Sequence, residues 1–264
     1  MKRRADKTGK QRAQTFRGGE IRVVKPGTFD YQTDSYAFRK GRVLFPALRN
    51  ASHLPDGQER ATMEQIKAGR RGCVKRLLCF GDSNTWGYDP RSPFGSQYPA
   101  DVRWTGLLQS AGWEIANCGQ NGLSIPRGAQ LPAVRDLLRR VPSDVTTVML
   151  GSNDLLCGAT ADETAERMDA LLRRMKEDAP DTRILLIVPP PMRLGDWVPT
   201  PALVNESMRL GGAYRRIADG LGVAFADAGE WGVGLCFDGV HFSSEGHAAF
   251  AAGLSLRLAA LTGS

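Results

Sequence analysis

Residue types that together perform acyl transfer follow the apolar runs of this sequence. Ser83 stands in GDSNTWG directly after one run, Asn153 stands in GSNDLL after another, and Asp238 and His241 stand in DGVH near the C-terminus. A serine hydroxyl becomes a nucleophile when a histidine takes its proton, and the histidine needs a carboxylate to hold its tautomer. The developing oxyanion needs donors, which the N–H groups of glycine turns or an asparagine amide can supply. These residues therefore indicate serine-dependent acyl transfer.

Each motif also has an ordinary structural interpretation. Gly, Asp and Ser commonly end strands or cap helices, so GDS and GSND can be turns followed by caps. The stretch NCGQNG lacks the G-x-G-x-x-G pattern and no G-x-x-x-x-G-K-[ST] motif is present, so nucleotide binding has little support. No G-x-S-x-G elbow occurs, which argues against an ordinary α/β-hydrolase. The catalytic interpretation is favoured over the structural one because the motifs are predicted to lie at the same sheet edge and occur in a compatible order.

The chain after residue 75 alternates short apolar runs with amphipathic segments. The runs are bounded by turn residues and predict strands at 75–80, 113–118, 145–150, 183–188 and 223–227. The amphipathic segments predict helices at 102–111, 131–140, 161–178, 204–220 and 244–261.

This alternation predicts a parallel sheet, because a parallel crossover has to span the sheet and usually does so with a helix. The near-continuous apolar character of the strands agrees with burial on both faces. We expect an α/β fold of three layers, a flavodoxin-like α/β/α sandwich with five parallel strands in the order 2-1-3-4-5. Ligands bind such sheets beyond the carboxyl ends of the strands, where the motifs above are predicted to meet.

The two parts of the chain differ in charge. Residues 1–76 contain nineteen Lys and Arg against seven Asp and Glu, whereas the remainder contains sixteen against twenty-one. We predict a basic N-terminal extension over residues 1–72, irregular and disordered or loosely attached, and one globular domain over residues 73–264. A solvated tail is the simpler interpretation of the extension, and contact with nucleic acid or an anionic membrane is the alternative.

Composition argues against several other classes. No run of eighteen apolar residues occurs and no apolar stretch follows the basic start, so neither a membrane span nor a signal peptide is predicted. The five cysteines form no C-x-x-C pair, and the three histidines form no H-E-x-x-H motif. We expect a cytoplasmic protein with no metal site and no cofactor.

The motifs GDSNTWG, NCGQNG, MLGSNDLL and DGVH, in this order, resemble the blocks of the SGNH or GDSL hydrolase superfamily. The resemblance covers about residues 74–260 and implies that residues 73–264 form an SGNH-type hydrolase domain. The stretches KRLLCFGDSNTWGYDP, DVRWTGLL, LIVPPPM and DGVHF are more similar to the bacterial arylesterase and acyltransferase branch than to the lysophospholipase and thioesterase branch.

The resemblance implies a role for each matched residue. Ser83 would be the nucleophile, His241 the general base, and Asp238 the residue that orients the base. The oxyanion hole would consist of the Ser83 N–H, the Gly119 N–H and the side-chain amide of Asn153.

The sequence departs from the superfamily pattern at Asn84, where the fourth letter of the motif is usually Leu. This position is not catalytic in the superfamily, so the difference concerns the surroundings of the nucleophile. Asp82 is expected to fix the turn by local hydrogen bonding. Asp154 either orients Asn153 or caps the following helix.

Several aromatic residues and one further histidine have two interpretations. Large aromatic residues more often belong to the core than to a pocket, and this choice is open for Trp86, Trp104 and Trp197. His247 follows SSEG, whose serines can cap the last helix and turn the imidazole toward solvent or into the protein. We therefore expect His241, and not His247, to act as the base.

The sequence thus predicts a serine esterase that hydrolyses small carboxylic esters, with aryl or short acyl groups, through an acyl-enzyme, with acyl transfer as a side activity. The alternatives are an acyl-CoA thioesterase or lysophospholipase, a carbohydrate O-acetylesterase, and a non-catalytic binding protein whose basic arm contacts nucleic acid. The expected partner is a small-molecule ester. Nucleic acid is expected only at the N-terminal extension, no membrane contact is expected, and homo-oligomerisation is left open.

Overall fold

The computed structural model describes residues 75–263, which form a sandwich around one sheet. The strands are β1 (Arg76–Gly81), β2 (Glu114–Gly119), β3 (Val145–Met149), β4 (Arg183–Val188) and β5 (Ala224–Asp227). All neighbouring strands are parallel, and their order is β2-β1-β3-β4-β5. The predicted strand order and sheet type are confirmed. The predictions about residues 1–72 fall outside the described range.

Seven α-helices lie among the described residues: α1 (Ser83–Trp86), α2 (Trp104–Ser110), α3 (Leu131–Arg140), α4 (Ser152–Leu156), α5 (Ala161–Asp178), α6 (Pro201–Leu221) and α7 (Ser244–Thr262). Short 3₁₀ turns cover Gly128–Gln130 and Ala228–Trp231.

The observed bounds of α3 and α5 are those predicted from the sequence. Helix α6 begins three residues before the predicted 204, because Pro201 suits the first turn, where a missing N–H costs no hydrogen bond. Helices α1 and α4 were not predicted, since four and five residues are too few to show a helical period.

The sheet is buried on both faces. Alternate side chains of a strand point to opposite sides, so Leu78 and Phe80 contact one half of the core while Leu77 and Cys79 contact the other. All four are at most 2% exposed, which explains the uninterrupted apolar run in the sequence. Helices α3, α5 and α6 cover the first face, and α2 and α7 cover the second.

The strands bring the sequence motifs to one edge. Gly81 at the end of β1 is in register with Gly119 at the end of β2 and with Met149 at the end of β3. The turns that begin after these three residues therefore start side by side. The DGVH motif reaches the same edge in a loop closed by an antiparallel bridge between Leu235 and Phe242. Within the described range, none of the helices has the length and hydropathy of a bilayer span.

Candidate active site

The turn after β1 places Ser83 at the first position of α1. Asp82 caps this short helix, because its Oδ1 accepts a hydrogen bond from the Asn84 N–H at 3.0 Å. Asp82 therefore has the local structural role that was predicted. Its carboxyl is buried, and burial raises its pKa to about 6.

Ser83, His241 and Asp238 form one continuous chain of hydrogen bonds. The Nε2 atom of His241 lies 2.9 Å from Ser83 Oγ, and its Nδ1 atom lies 2.7 Å from Asp238 Oδ2. All three side chains are at most 6% exposed. When Nδ1–H is donated to the carboxylate, Nε2 is left to accept the serine proton, as a general base must.

The carboxylate of Asp238 is held by its own turn. Its Oδ1 accepts hydrogen bonds from the N–H groups of Val240 at 2.9 Å and His241 at 3.0 Å. Burial alone would raise the pKa of this carboxyl, but the imidazole and the two N–H donors bring it below its ordinary value. The three-residue spacing thus allows one carboxylate to close the turn and to orient the imidazole.

The loop after β4 supports the DGVH turn from the other side. The Trp197 N–H donates to the Asp238 carbonyl oxygen at 3.1 Å. The guanidinium of Arg193 donates to the carbonyl oxygens of Leu235 and Cys236, just before the turn. The sequence contains no signal for this support, because a long-range hydrogen bond from a loop arginine produces neither a period nor a motif.

The three predicted oxyanion donors differ in availability. The Ser83 N–H has no acceptor among the described residues. The Nδ2 of Asn153, in α4, donates one hydrogen to the Leu123 carbonyl oxygen at 3.1 Å and keeps a second hydrogen. The Gly119 N–H donates to Asn117 Oδ1 at 3.0 Å. An oxyanion could therefore use the Gly119 N–H only by displacing Asn117 Oδ1.

Gly119 also allows β2 to approach closely the turn of residues 82–86 that carries Ser83. A Cβ atom at this position would lie 2.1 Å from the backbone nitrogen of Trp86 in α1. No side chain fits there unless the backbone moves, so the glycine is needed for this contact whether or not its N–H meets an oxyanion. The oxyanion role of Gly119 stays a prediction.

Asp154 joins the loop after β2 to helix α5. Its Oδ2 accepts the Ile125 N–H at 2.9 Å, and its Oδ1 forms a 2.8 Å ion pair with Arg167. The carboxylate is 1% exposed. It therefore takes neither of the two roles considered from the sequence, and instead fixes the loop whose Leu123 oxygen holds the Asn153 amide.

Two aromatic rings flank the imidazole of His241. The ring centroid of Tyr88 lies 4.6 Å from that of His241, and the ring of Trp197 makes an edge contact at 4.9 Å. Both rings are partly exposed, so they stand between the imidazole and solvent. Trp104, by contrast, is a core residue at 1% exposure, and its Nε1 donates to the Asn84 carbonyl oxygen at 2.8 Å.

His247 belongs to the core and not to the chain of hydrogen bonds. It is fully buried against the rings of Tyr98 and Phe242, and its Nδ1 lies 3.4 Å from the Trp104 nitrogen. Burial lowers its pKa to about 4, so the imidazole is neutral. Ser243 caps α7 by accepting the N–H of Gly246 at 3.0 Å, and of the two directions that the sequence allowed, the imidazole points into the protein.

The geometry suits attack on a carbonyl carbon. A serine hydroxyl, an imidazole, a carboxylate and at least two hydrogen-bond donors lie at one sheet edge, and these are the groups that acyl transfer requires. Within residues 75–263, no group of three or more His, Cys, Asp and Glu side chains is placed to hold a metal ion.

Known proteins resemble this chain over most of the described range. A model described as the GDSL-like Lipase/Acylhydrolase family matches residues 79–249. Est24, a carbohydrate acetylesterase from Sinorhizobium meliloti, is 28% identical with a TM-score of 0.62, over 71% of this chain and 99% of that chain. The native aryl esterase of M. Smegmatis is 27% identical with a TM-score of 0.62, over 71% and 99% of the two chains. No curated protein matches the chain significantly.

Proposed function

Since this chain belongs to the GDSL-like lipase and acylhydrolase family and is a carboxylic ester hydrolase, we propose that it cleaves small esters through a covalent acyl-enzyme on Ser83. The observation that carries the proposal is the buried chain of hydrogen bonds from Ser83 through His241 to Asp238. The two bonds run from the serine hydroxyl to the imidazole and from the imidazole to the carboxylate, which is the route that the proposed proton transfer needs.

In the first half of the proposed reaction, Ser83 Oγ forms a bond to the ester carbonyl carbon while its proton passes to His241 Nε2. The carbonyl electrons form an oxyanion. When the oxyanion collapses, the bond to the alcohol breaks and His241 returns the proton to the leaving oxygen. Asp238 stays ionised and stabilises the imidazolium. In the second half, water repeats these steps on the acyl-enzyme and releases the acid.

The oxyanion is proposed to meet the Ser83 N–H and the free hydrogen of the Asn153 amide. The Gly119 N–H can join them if Asn117 Oδ1 is displaced. Another source of donors is the loop fixed by Leu123 and Asp154, because the N–H groups of Asn121 and Gly122 in it have no acceptor among the described residues. These donors supply charge stabilisation only once the transition state forms.

The proposed substrates are esters of a small acyl group, with an aryl alcohol as the first choice. Two observations support a ring in the leaving group: the partly exposed faces of Tyr88 and Trp197 beside His241, and the similarity to an aryl esterase. Aromatic rings also stack on sugars, and the similarity to a carbohydrate acetylesterase favours an O-acetylated carbohydrate as the second candidate.

Acyl transfer to an alcohol is proposed as a side activity. The two aromatic rings against the imidazole limit the space for water beside the base, so an apolar alcohol can compete for the acyl-enzyme. Adding a primary alcohol during turnover should yield a new ester in place of part of the acid. Acid as the sole product at every alcohol concentration would contradict this proposal.

The test is a panel of phenyl, alkyl and sugar acetates, aryl esters of increasing acyl length, and acyl-CoA thioesters. We expect the shortest acyl groups to be cleaved fastest, and Ser83→Ala to abolish turnover. Ser110→Ala, which removes a serine hydroxyl that lies in α2 and donates to the Gly106 carbonyl oxygen, should retain it. Mass spectrometry after treatment with a fluorophosphonate should find the label on Ser83. A label elsewhere, or turnover in folded Ser83→Ala, would contradict the proposal.

A further inference from the structure

Asn84, the residue that departs from the superfamily pattern, contacts the main chain on both sides of His241. Its side-chain Nδ2 donates to the Val240 carbonyl oxygen at 3.1 Å, and its Oδ1 accepts the Phe242 N–H at 2.9 Å. Val240 and Phe242 are the two neighbours of His241 in sequence. Asn84 is 3% exposed, so both hydrogen bonds are shielded from water.

These two bonds differ from the other contacts of the DGVH loop because they join it to the turn that carries Ser83. Other hydrogen bonds hold the loop to itself, to the segment after β4 or to Tyr98. Examples are Cys236 N–H to His241 O at 2.7 Å, Trp197 N–H to Asp238 O at 3.1 Å and Tyr98 O–H to Phe242 O at 3.4 Å. Among the described residues, three hydrogen bonds join the turn of residues 82–86 to residues 238–242. Two of them are made by the Asn84 side chain, and the third is the Ser83–His241 bond itself.

Asn84 is itself held in place. Its N–H donates to Asp82 Oδ1 at 3.0 Å, and its carbonyl oxygen accepts from Trp104 Nε1 at 2.8 Å. Trp104 is fully surrounded by the core beneath α7. The amide group therefore projects from a backbone whose donor and acceptor are both engaged.

We propose that Asn84 is a positioning residue that sets the distance between Ser83 Oγ and His241 Nε2. This proposal rests on the proposed function, in which His241 is the base for Ser83. A carboxamide suits the role because it is a donor and an acceptor at once, and the loop offers one carbonyl and one N–H on either side of the histidine.

The usual Leu at this position could form neither bond. The Val240 carbonyl and the Phe242 N–H would then be buried without partners, which is costly enough to move the loop until water or other groups reach them. The loop carries Asp238 and His241 together, so their mutual bond would survive the shift while the Ser83–His241 distance would change. Misplacement by about 1 Å costs on the order of a hundredfold in rate.

The experiment measures kcat and KM for phenyl acetate in the wild type, Asn84→Leu, His241→Ala and the double variant. We expect Asn84→Leu to lower kcat by about tenfold to a hundredfold with KM nearly unchanged. In the His241→Ala background the same substitution should have almost no further effect, because there is no base left to position. A double-mutant cycle of this kind separates action through His241 from a general structural effect.

Two further variants keep the test decisive. Asn84→Asp retains the acceptor for the Phe242 N–H, but its second oxygen would face the Val240 carbonyl oxygen, so it should also lower kcat through His241. It serves if the Leu variant does not fold. Thr147→Val is the matched control, because it removes a buried 3.4 Å hydrogen bond within the sheet, to Leu78, and should leave kcat unchanged.

The outcomes are distinct. Wild-type kcat in folded Asn84→Leu, or an equal loss with and without His241, would overturn the positioning role. Full activity in the single variant His241→Ala would overturn both this proposal and the proposed function. The His241→Ala variant therefore shows whether the proposed function has failed, separately from the role of Asn84.

Discussion

Asn153 presents one free amide hydrogen to the site, and its removal tests the oxyanion hole at the level of a single residue. We expect Asn153→Ala to lower kcat by about two to three powers of ten with a smaller change in KM, because an oxyanion donor acts mainly in the transition state. Asn153→Asp should be at least as harmful, since it places a negative charge where one develops. Steady-state kinetics with an aryl acetate measure both.

The control for Asn153 is Asn205→Ala, at an exposed position of α6. This variant should retain wild-type kinetics. Unchanged kcat in Asn153→Ala would show that the amide serves only to hold Leu123, and the proposed hole would lose this donor.

The two C-terminal histidines differ in environment, and this difference predicts opposite phenotypes. His241→Ala should lower kcat by several powers of ten, as loss of the base in a Ser-His-Asp arrangement does. His247→Asn, which can still offer an acceptor to the Trp104 N–H, should keep kcat within about tenfold.

The His247→Asn substitution should instead change the dependence of stability on pH. Because burial lowers the His247 pKa to about 4 from the ordinary 6.5, the unfolded chain takes up a proton first as pH falls.

The wild type should therefore lose stability between pH 6.5 and 4 from this group, by about 2 kcal/mol at pH 5 relative to neutral pH. His247→Asn lacks this loss. Asp82, whose pKa is raised to about 6 by burial, acts in the opposite sense, but it is common to both proteins and cancels in the difference. Urea unfolding of both proteins at pH 7.5 and pH 5 measures the effect. An identical pH dependence would show that His247 is not responsible.

At the level of elements, the approach of β2 to α1 depends on Gly119. The Cβ of Gly119→Ala would meet the Trp86 backbone nitrogen at 2.1 Å, so α1 has to move and Ser83 with it. We expect the free energy of unfolding to fall by about 1 to 3 kcal/mol. We expect kcat to fall by more than this loss of stability alone would cause, because Ser83 moves with α1. Thermal unfolding and ester hydrolysis on the same samples measure the two effects.

Gly220→Ala is the matched control for Gly119→Ala. A Cβ at Gly220 meets nothing within 4 Å, and the residue lies in helix α6, where Ala is favoured over Gly by up to about 1 kcal/mol. This variant should be as stable as the wild type or more so, with unchanged kcat. Equal behaviour of the two variants would mean that the contact with Trp86 does not position the nucleophile.

Loops, and not only strand ends, hold the site together. One loop is tied to helix α5 through Asp154 and Arg167, and another supports the DGVH turn through Arg193 and Trp197. Each support ends on a backbone group of a loop that carries residues proposed for the chemistry. The proposed catalytic distances therefore depend on these loops as well as on the strand ends.

At the level of the whole molecule, residues 75–263 contain the sheet, its helices and every residue proposed for the chemistry. We expect removal of residues 1–70 to leave ester hydrolysis largely intact, measured as kcat/KM for an aryl acetate with full-length protein as the control. Loss of activity in a truncated protein that is still folded by circular dichroism would show that this segment contributes to the site or to an interface.

The basic charge of residues 1–76 also leaves nucleic-acid contact as a prediction for the full-length chain. A salt-dependent gel shift that disappears with the truncation would support it. The absence of any shift at low salt would leave the solvated tail as the interpretation.

Much of the fold followed from local pattern. Strand positions were predictable because apolar runs alternate with amphipathic helices, and the order 2-1-3-4-5 was predictable because this alternation indicates a flavodoxin-like sandwich. Short helices such as α1 and α4 were not predictable, since a turn of helix after a strand is held by tertiary contacts and by a cap such as Asp82.

The sequence by itself determined which reactive groups the protein has. These are a serine and an asparagine that each follow a buried strand, and a histidine with a carboxylate three residues before it in the DGVH loop. Motif order and residue type are local properties, so they can be read along the chain. Only the tertiary structure decided what holds the histidine loop, which Asn84 reaches across 158 residues of sequence, and whether the Gly119 N–H is free. The contact of Asn84 joins segments that are remote along the chain, and the distance between them is set only once the sheet has brought the segments together. The contact of Gly119 with Asn117 joins residues two apart, but residue types alone do not show whether the Asn117 side chain turns toward that N–H.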